Sequence, residues 1–179
     1  MSNIIRLYDH KAQILPSISP LLLTRDICRV VDEMIKLANK KKLVDHSDFA
    51  EVVGVLADYE YESEEADDCG GYCDIIGKRI VVTNSDSNDY HKVALCHELG
   101  HSIQVITGHY DKRSMLLSDL VSEEQQADTI GYYLLRGLYP ATKPNTEDFQ
   151  GYFSVAGMEF LNNWYDGFVQ NDLFKNIDS

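Results

Sequence analysis

Basic side chains are scarce in this chain. Its 179 residues hold 16 Lys and Arg against 29 Asp and Glu, a formal net charge of −13. Such a surface repels phosphate backbones, so direct nucleic-acid binding is not expected without a local basic patch. The one basic run, Lys40-Lys41-Lys42, falls at an expected helix end, where it complements the helix dipole. Cysteine is also sparse: Cys28, Cys69, Cys73 and Cys96 do not make the dense disulfide framework of a small secreted domain. No apolar run approaches the length that spans a bilayer, so no membrane partner is expected. The opening stretch "MSNIIRLYDHK" is too polar for a signal peptide. These shortages together predict a reducing, cytoplasmic setting. Repeats and low-complexity tracts are absent as well.

What is present is enough for a core. Hydrophobic residues make up 44% and charged residues 25%, the composition of one folded domain. Residues 1–22, with Pro16 and Pro20, read as an irregular segment. Thr24 reads as the N-cap of a helix over about 25–40, in which Ile27, Val30, Val31, Met34, Leu37 and Ala38 recur at helical spacing. "HSDFAEVVG" reads as a short helix capped by Ser47 and ended by Gly54; "VLADYEYE" alternates like a strand. The acidic "ESEEADD" reads as a solvated loop. "YCDII" and "RIVVT" then form two short strands around a tight turn at Gly77-Lys78, with Gly77 supplying a positive φ. A helix is expected from Ser87 or Asn88 to about Thr107, stopped by Gly108. A loop follows to Val121, and Ser122 with Gln125 forms a capping box that opens the next helix. Beyond Pro140 and Pro144, an aromatic stripe from Phe149 to Phe168 predicts a final helix. The fold class is therefore α+β: a small, mostly antiparallel sheet packed against helices. Residues 23–140 make the core, and 141–179 extend it.

The chemistry is concentrated in "ALCHELGHSIQ". His97 and His101 are four residues apart and share one helical face, so their imidazoles can aim at one point. Zinc takes nitrogen ligands in tetrahedral geometry. Glu98 borders that point and can accept a proton from an activated water; this is the H-E-x-x-H arrangement. Ala94, Leu95, Leu99, Ile103 and Ile106 make the helix largely apolar, where unpaired histidines and a glutamate would be costly. Gly100 gives up about 1 kcal/mol of helix stability and permits a close approach by a sheet or a substrate. A third ligand is needed. Gln104 and Thr107 stand where a metzincin needs Gly and His, which excludes that class. In "SEEQQAD", Glu124 is the favoured third ligand, with Glu123 and His109 as alternatives. Asp128, one turn after Glu124, can accept a hydrogen bond from the outer nitrogen of a ligating histidine.

The run "KRIVVTNSDS…HKVALCHELGHSIQ…SEEQQADTIGYYLL" resembles the ImmA/IrrE family of metallopeptidases, over roughly residues 25–138. Its motifs fall on His97, Glu98 and His101, then on Glu124, Ala127 and Asp128. The aromatic C-terminal segment has no counterpart in the resemblance, and the helix-turn-helix of some relatives is absent. The resemblance implies a gluzincin-like core and a Zn2+ cofactor held by His97, His101 and Glu124. It also implies hydrolysis of a peptide bond by a zinc-bound water that Glu98 activates. The implied substrate is a protein or peptide, of the repressor type that family members cleave. "RIVVT" is expected to pair with an extended substrate, as in the gluzincin layout. Donors to the oxyanion or substrate are sought among His109, Tyr110, Arg113, Tyr132 and Tyr133. Cys69 and Cys73 read either as thiols beside a Gly-rich turn or as an inhibitory fourth ligand. The rival function is a catalytically silent, metallopeptidase-like binding protein that sequesters a partner in a phage or mobile-element setting.

Overall fold

The computed structural model describes residues 23–65, 70–84, 87–110 and 117–142. Four helices and three strands follow in the order α1 (Arg25–Lys41), α2 (Phe49–Ala57), β1 (Glu60–Glu64), β2 (Gly71–Asp74), β3 (Arg79–Thr83), α3 (Asn88–Ile106) and α4 (Leu117–Leu138). The expected irregular start, the aromatic C-terminal helix, residues 66–68 of the acidic loop, Cys69, Arg113 and Pro144 lie outside the described residues, while Glu62–Glu64 of that loop are part of β1.

α1 begins as its sequence predicts. Thr24 Oγ1 accepts the backbone N–H of Ile27, Asp26 sits in the first turn, and Lys40 and Lys41 sit in the last. Ile27, Cys28, Val31, Met34 and Ala38 form its buried stripe. α2 departs from expectation at both ends. Asp48, not Ser47, is its N-cap, accepting from Glu51 N. The helix passes through Gly54 to Ala57 and ends where Asp58 turns left-handed at φ 57°. Burial of Val52, Val53 and Leu56 outweighs the roughly 1 kcal/mol that an interior glycine costs. Val55 and Ala57 are thus helical, and the strand expected there starts only at Glu60.

The sheet has the order β1-β3-β2 and is mixed rather than mostly antiparallel. β2 and β3 are antiparallel, with Cys73 opposite Ile80, while β1 and β3 are parallel, with Tyr61 opposite Ile80. The reason lies in composition. β3 is the apolar strand, with Ile80, Val81 and Val82 all buried, and takes the centre; β1 carries Glu60, Glu62 and Glu64 and sits at an edge. β2 is the return stroke of the connection that lets β1 and β3 run the same way. Because β3 is paired on both sides, "RIVVT" has no edge to offer a substrate; β2 does. The β2–β3 turn also differs from expectation. Asp74 Oδ1 accepts the N–H groups of Ile76 and Gly77, and Lys78, not Gly77, takes the positive φ of 52°.

α3 starts at Ser87, whose side chain accepts from Tyr90 N, and is followed by Gly108 at φ 74°. α4 opens at Leu117, so Ser122 lies inside it and the expected capping box is not the start of the helix. α3 and α4 pack closely. A Cβ at Gly100 would lie 2.5 Å from the carbonyl oxygen of Ala127, and one at Gly131 would lie 2.8 Å from that of Cys96. The close approach that Gly100 permits is therefore that of a second helix, not of a sheet or a substrate. Leu95, Leu99 and Ile103 of α3 and Ile130, Leu134 and Leu138 of α4 are fully buried in the shared core.

Gly100→Ala tests this contact. Alanine favours a helix by about 1 kcal/mol, but here its methyl meets backbone that cannot rotate away. The net expectation is a loss of about 1–3 kcal/mol in urea unfolding; a variant as stable as the parent would show that the helices have room to spare.

Candidate metal centre

The close helix contact sets α4 against the polar face of α3. His97 and His101 lie one turn apart, their rings 4.9 Å between centroids and nearly perpendicular. Glu124 faces both, with Oε2 3.3 Å from His97 Nε2 and 3.5 Å from His101 Nε2. One turn further on, Asp128 Oδ1 lies 2.7 Å from His97 Nδ1. The side chains of His97, His101 and Glu124 keep 14–21% of their surface in solvent, whereas Glu98 and Asp128 are buried behind them. His97, Glu98 and His101 thus converge on α3, and Glu124 faces the same two imidazoles from α4.

Two carboxylates compete for the imidazole pair. His97, Glu98 and His101 offer ligand atoms that all lie within 4.8 Å of one another. Glu124 is tighter. In a tetrahedral site with bonds of 2.0–2.1 Å, neighbouring ligand atoms are about 3.3–3.4 Å apart. The separations of 3.3 and 3.5 Å to Glu124 match that edge. Glu98 converges with the same two histidines from within α3. It lies under β2, where a Cβ at Gly71 would come within 3.2 Å of its Oε1.

The electrostatics are those of a site with too many carboxylates. Burial disfavours the imidazolium of His97, but Asp128, Glu124 and Glu98 outweigh it and hold its pKa well above the usual histidine value. His101 shifts the same way: burial opposes, and Glu124 prevails. Burial also opposes the charge on Glu124, yet His101 and His97 hold that carboxyl well below the usual range. Burial pushes Glu98 up, and the two histidines only partly reverse it. Asp128 Oδ2 is buried without a hydrogen-bond partner. With neutral imidazoles, Glu98, Glu124 and Asp128 carry three negative charges into one pocket, a donor set that fits a divalent cation.

The remaining expected residues go elsewhere. The ring of His109 Nε2 lies 3.1 Å from Thr24 Oγ1, at the start of α1. Glu123 meets the centre through its backbone, whose carbonyl accepts from Gln104. Tyr132 is wholly buried in the core, and the hydroxyl of Tyr133 donates to Asp32 on α1. Tyr110 stays near the rim. Burial, then the charges of Glu123, Cys73 and Glu124, push its phenol up. Cys73 lies on the face of β2 that Gly71 presents to Glu98, but it is not in the group of converging ligand atoms.

Gln104 was missed as a functional residue. Fully buried, its Oε1 lies 2.9 Å from His101 Nδ1, and its Nε2 donates to Glu123 O and to Gln126 Oε1. Its place three residues after His101, on the same helical face, was the available signal.

No family model, curated protein or solved structure matches the chain, so the centre has to be interpreted through its own chemistry.

The thiol of Cys73 offers a check on the electrostatics. Burial and the charges of Glu98 and Asp74 push it up to about 12. In chelator-treated protein at pH 8, its alkylation is expected to run roughly 100-fold or more below that of free cysteine. Mass-spectrometric labelling rates measure it, and a rate near that of the free thiol would contradict the carboxylate-rich surroundings.

Proposed function

We propose that the chain is a zinc-dependent metallo-endopeptidase of the ImmA/IrrE kind, acting on an extended stretch of a protein substrate. The observation that carries the reading is the position of Glu124 Oε2, 3.3 Å from His97 Nε2 and 3.5 Å from His101 Nε2, on the helix that faces the His97-Glu98-His101 group. His97, His101 and Glu124 would hold the ion. Bound zinc supplies Lewis acidity, which polarises a carbonyl and brings the pKa of a coordinated water toward 7.

The chain's own groups do the rest. Glu98 takes the proton of the attacking water and delivers it to the leaving amine. Its burial suits that exchange, because a raised carboxyl pKa brings base and acid forms closer together near neutral pH. Asp128 accepts from His97 Nδ1 and so leaves Nε2 free to bind. β2 offers a backbone edge beside Glu98, along which an extended peptide can pair. Tyr110, whose phenol feels the charges of Glu123 and Glu124, is the donor candidate kept from the sequence. The resemblance in the motif residues makes a repressor-type regulator the first substrate to try.

Glu98→Gln keeps the proposed ligands and removes the base. Zinc content by elemental analysis is expected to equal that of the parent, while chelator-sensitive cleavage falls at least 10²-fold. Equal cleavage would remove Glu98 from the mechanism. A parent that binds zinc but cuts none of the regulators tried would favour the silent binding protein.

Glu124→Ala separates the ligand from the base in the opposite way. It is expected to lower zinc affinity itself, measured by competition with a chelating dye; an unchanged affinity would return the third ligand to Glu98.

A further inference from the structure

Gln104 lies outside the proposed catalytic set, yet its amide touches both helices that build the centre. The orientation of that amide follows from its surroundings. The carbonyl oxygen of Glu123 can only accept a hydrogen bond, and it lies 2.7 Å from one end of the Gln104 amide. That end must therefore be nitrogen. Its second hydrogen goes to Gln126 Oε1 at 3.1 Å, which uses both donors. The oxygen end is then turned to His101 Nδ1 at 2.9 Å. An amide oxygen cannot donate, so Nδ1 carries a hydrogen, and in the neutral ring Nε2, which faces Glu124, is the nitrogen with the lone pair.

We propose that Gln104 is a positioning residue that locks His101 in the Nδ1–H tautomer and ties the backbone beside Glu124 to the same helix. The function assigned to it rests on the metallopeptidase reading; the tautomer does not. The two imidazoles are thus oriented by different means. His97 is held by the carboxylate of Asp128, which adds charge to its ring, and His101 by a neutral amide. The amide also works as a spacer. Glu123 precedes Glu124, so the bond to its carbonyl fixes the turn of α4 from which Glu124 reaches the imidazoles. At the same residue, the backbone carbonyl of Gln104 accepts from His109 N and Tyr110 N, fastening the chain that leaves α3 toward the rim. A buried amide with every donor used and its oxygen engaged is costly to replace by any group lacking one end.

The test uses the full chain and its Gln104→Leu and Gln104→Glu variants. Nitrogen NMR of the metal-free parent, at alkaline pH where the ring is neutral, is expected to show His101 as the Nδ1–H form. Gln104→Leu should give a mixture of tautomers and bind zinc 10–100-fold more weakly. Gln104→Glu keeps an oxygen for Nδ1 but sets a carboxylate against the Glu123 carbonyl. It should restore the tautomer while recovering affinity only in part. An Nε2–H form in the parent overturns the proposal, even if neither variant folds. So does a leucine variant with unchanged His101 signals and unchanged zinc affinity. If the parent binds no zinc while its tautomer is as stated, the metallopeptidase reading falls and the orienting role of the amide stands.

Discussion

The centre depends on how near two helices can come. Gly100 and Gly131 remove the side chains that would hold α3 and α4 apart, and backbone meets backbone at Ala127 and Cys96. At that separation the short reach of a glutamate and an aspartate suffices to meet two imidazoles. With an ordinary interhelical gap, Glu124 and Asp128 would face water and His97 and His101 would be buried unpaired. The polar set and the apolar core are thus one solution: the same contact that seats Leu95, Leu99, Ile130 and Leu134 in the core carries the carboxylates into place.

A centre of this kind stores conflict. Three carboxylates behind a narrow rim raise the pKa of their histidine neighbours, and one carboxylate oxygen of Asp128 is left without a partner. Stability alone does not account for such a cluster, since apolar residues of similar volume would cost less to bury. A bound cation would relieve that conflict, and this is the support that the donor set adds to the motif.

Much of this was legible in the sequence, for identifiable reasons. α1 joins its cap to strong apolar periodicity and α3 joins its cap to a largely apolar run, and both helices begin where Thr24 and Ser87 indicate. His97, Glu98 and His101 are neighbours within one helix, so spacing alone brings them together. Two misses were local, the cap at Ser47 and the positive φ at Gly77, and the larger ones are tertiary. Local signals favoured a stop at Gly54 and a start at Ser122, and burial overrode the first. Strand order cannot be read from alternation, so the central place of β3 and the parallel β1 went unforeseen. Gln104 was weighed only as a residue that excludes the metzincin class. Its partners lie 19 and 22 residues away on a different helix, and no local pattern announces them.

On the proposed reading, in which a peptide pairs with β2, the shortness of that strand bears on selectivity. Its span, Gly71 to Asp74, is about 13 Å of backbone. An incoming strand would be gripped over only that footprint, with alternate side chains turned inward. Discrimination would then be coarse and spread over very few positions. What distinguishes one target from another would be whether a linear segment is exposed at all, and a well-folded bystander would escape simply by keeping its termini and loops short.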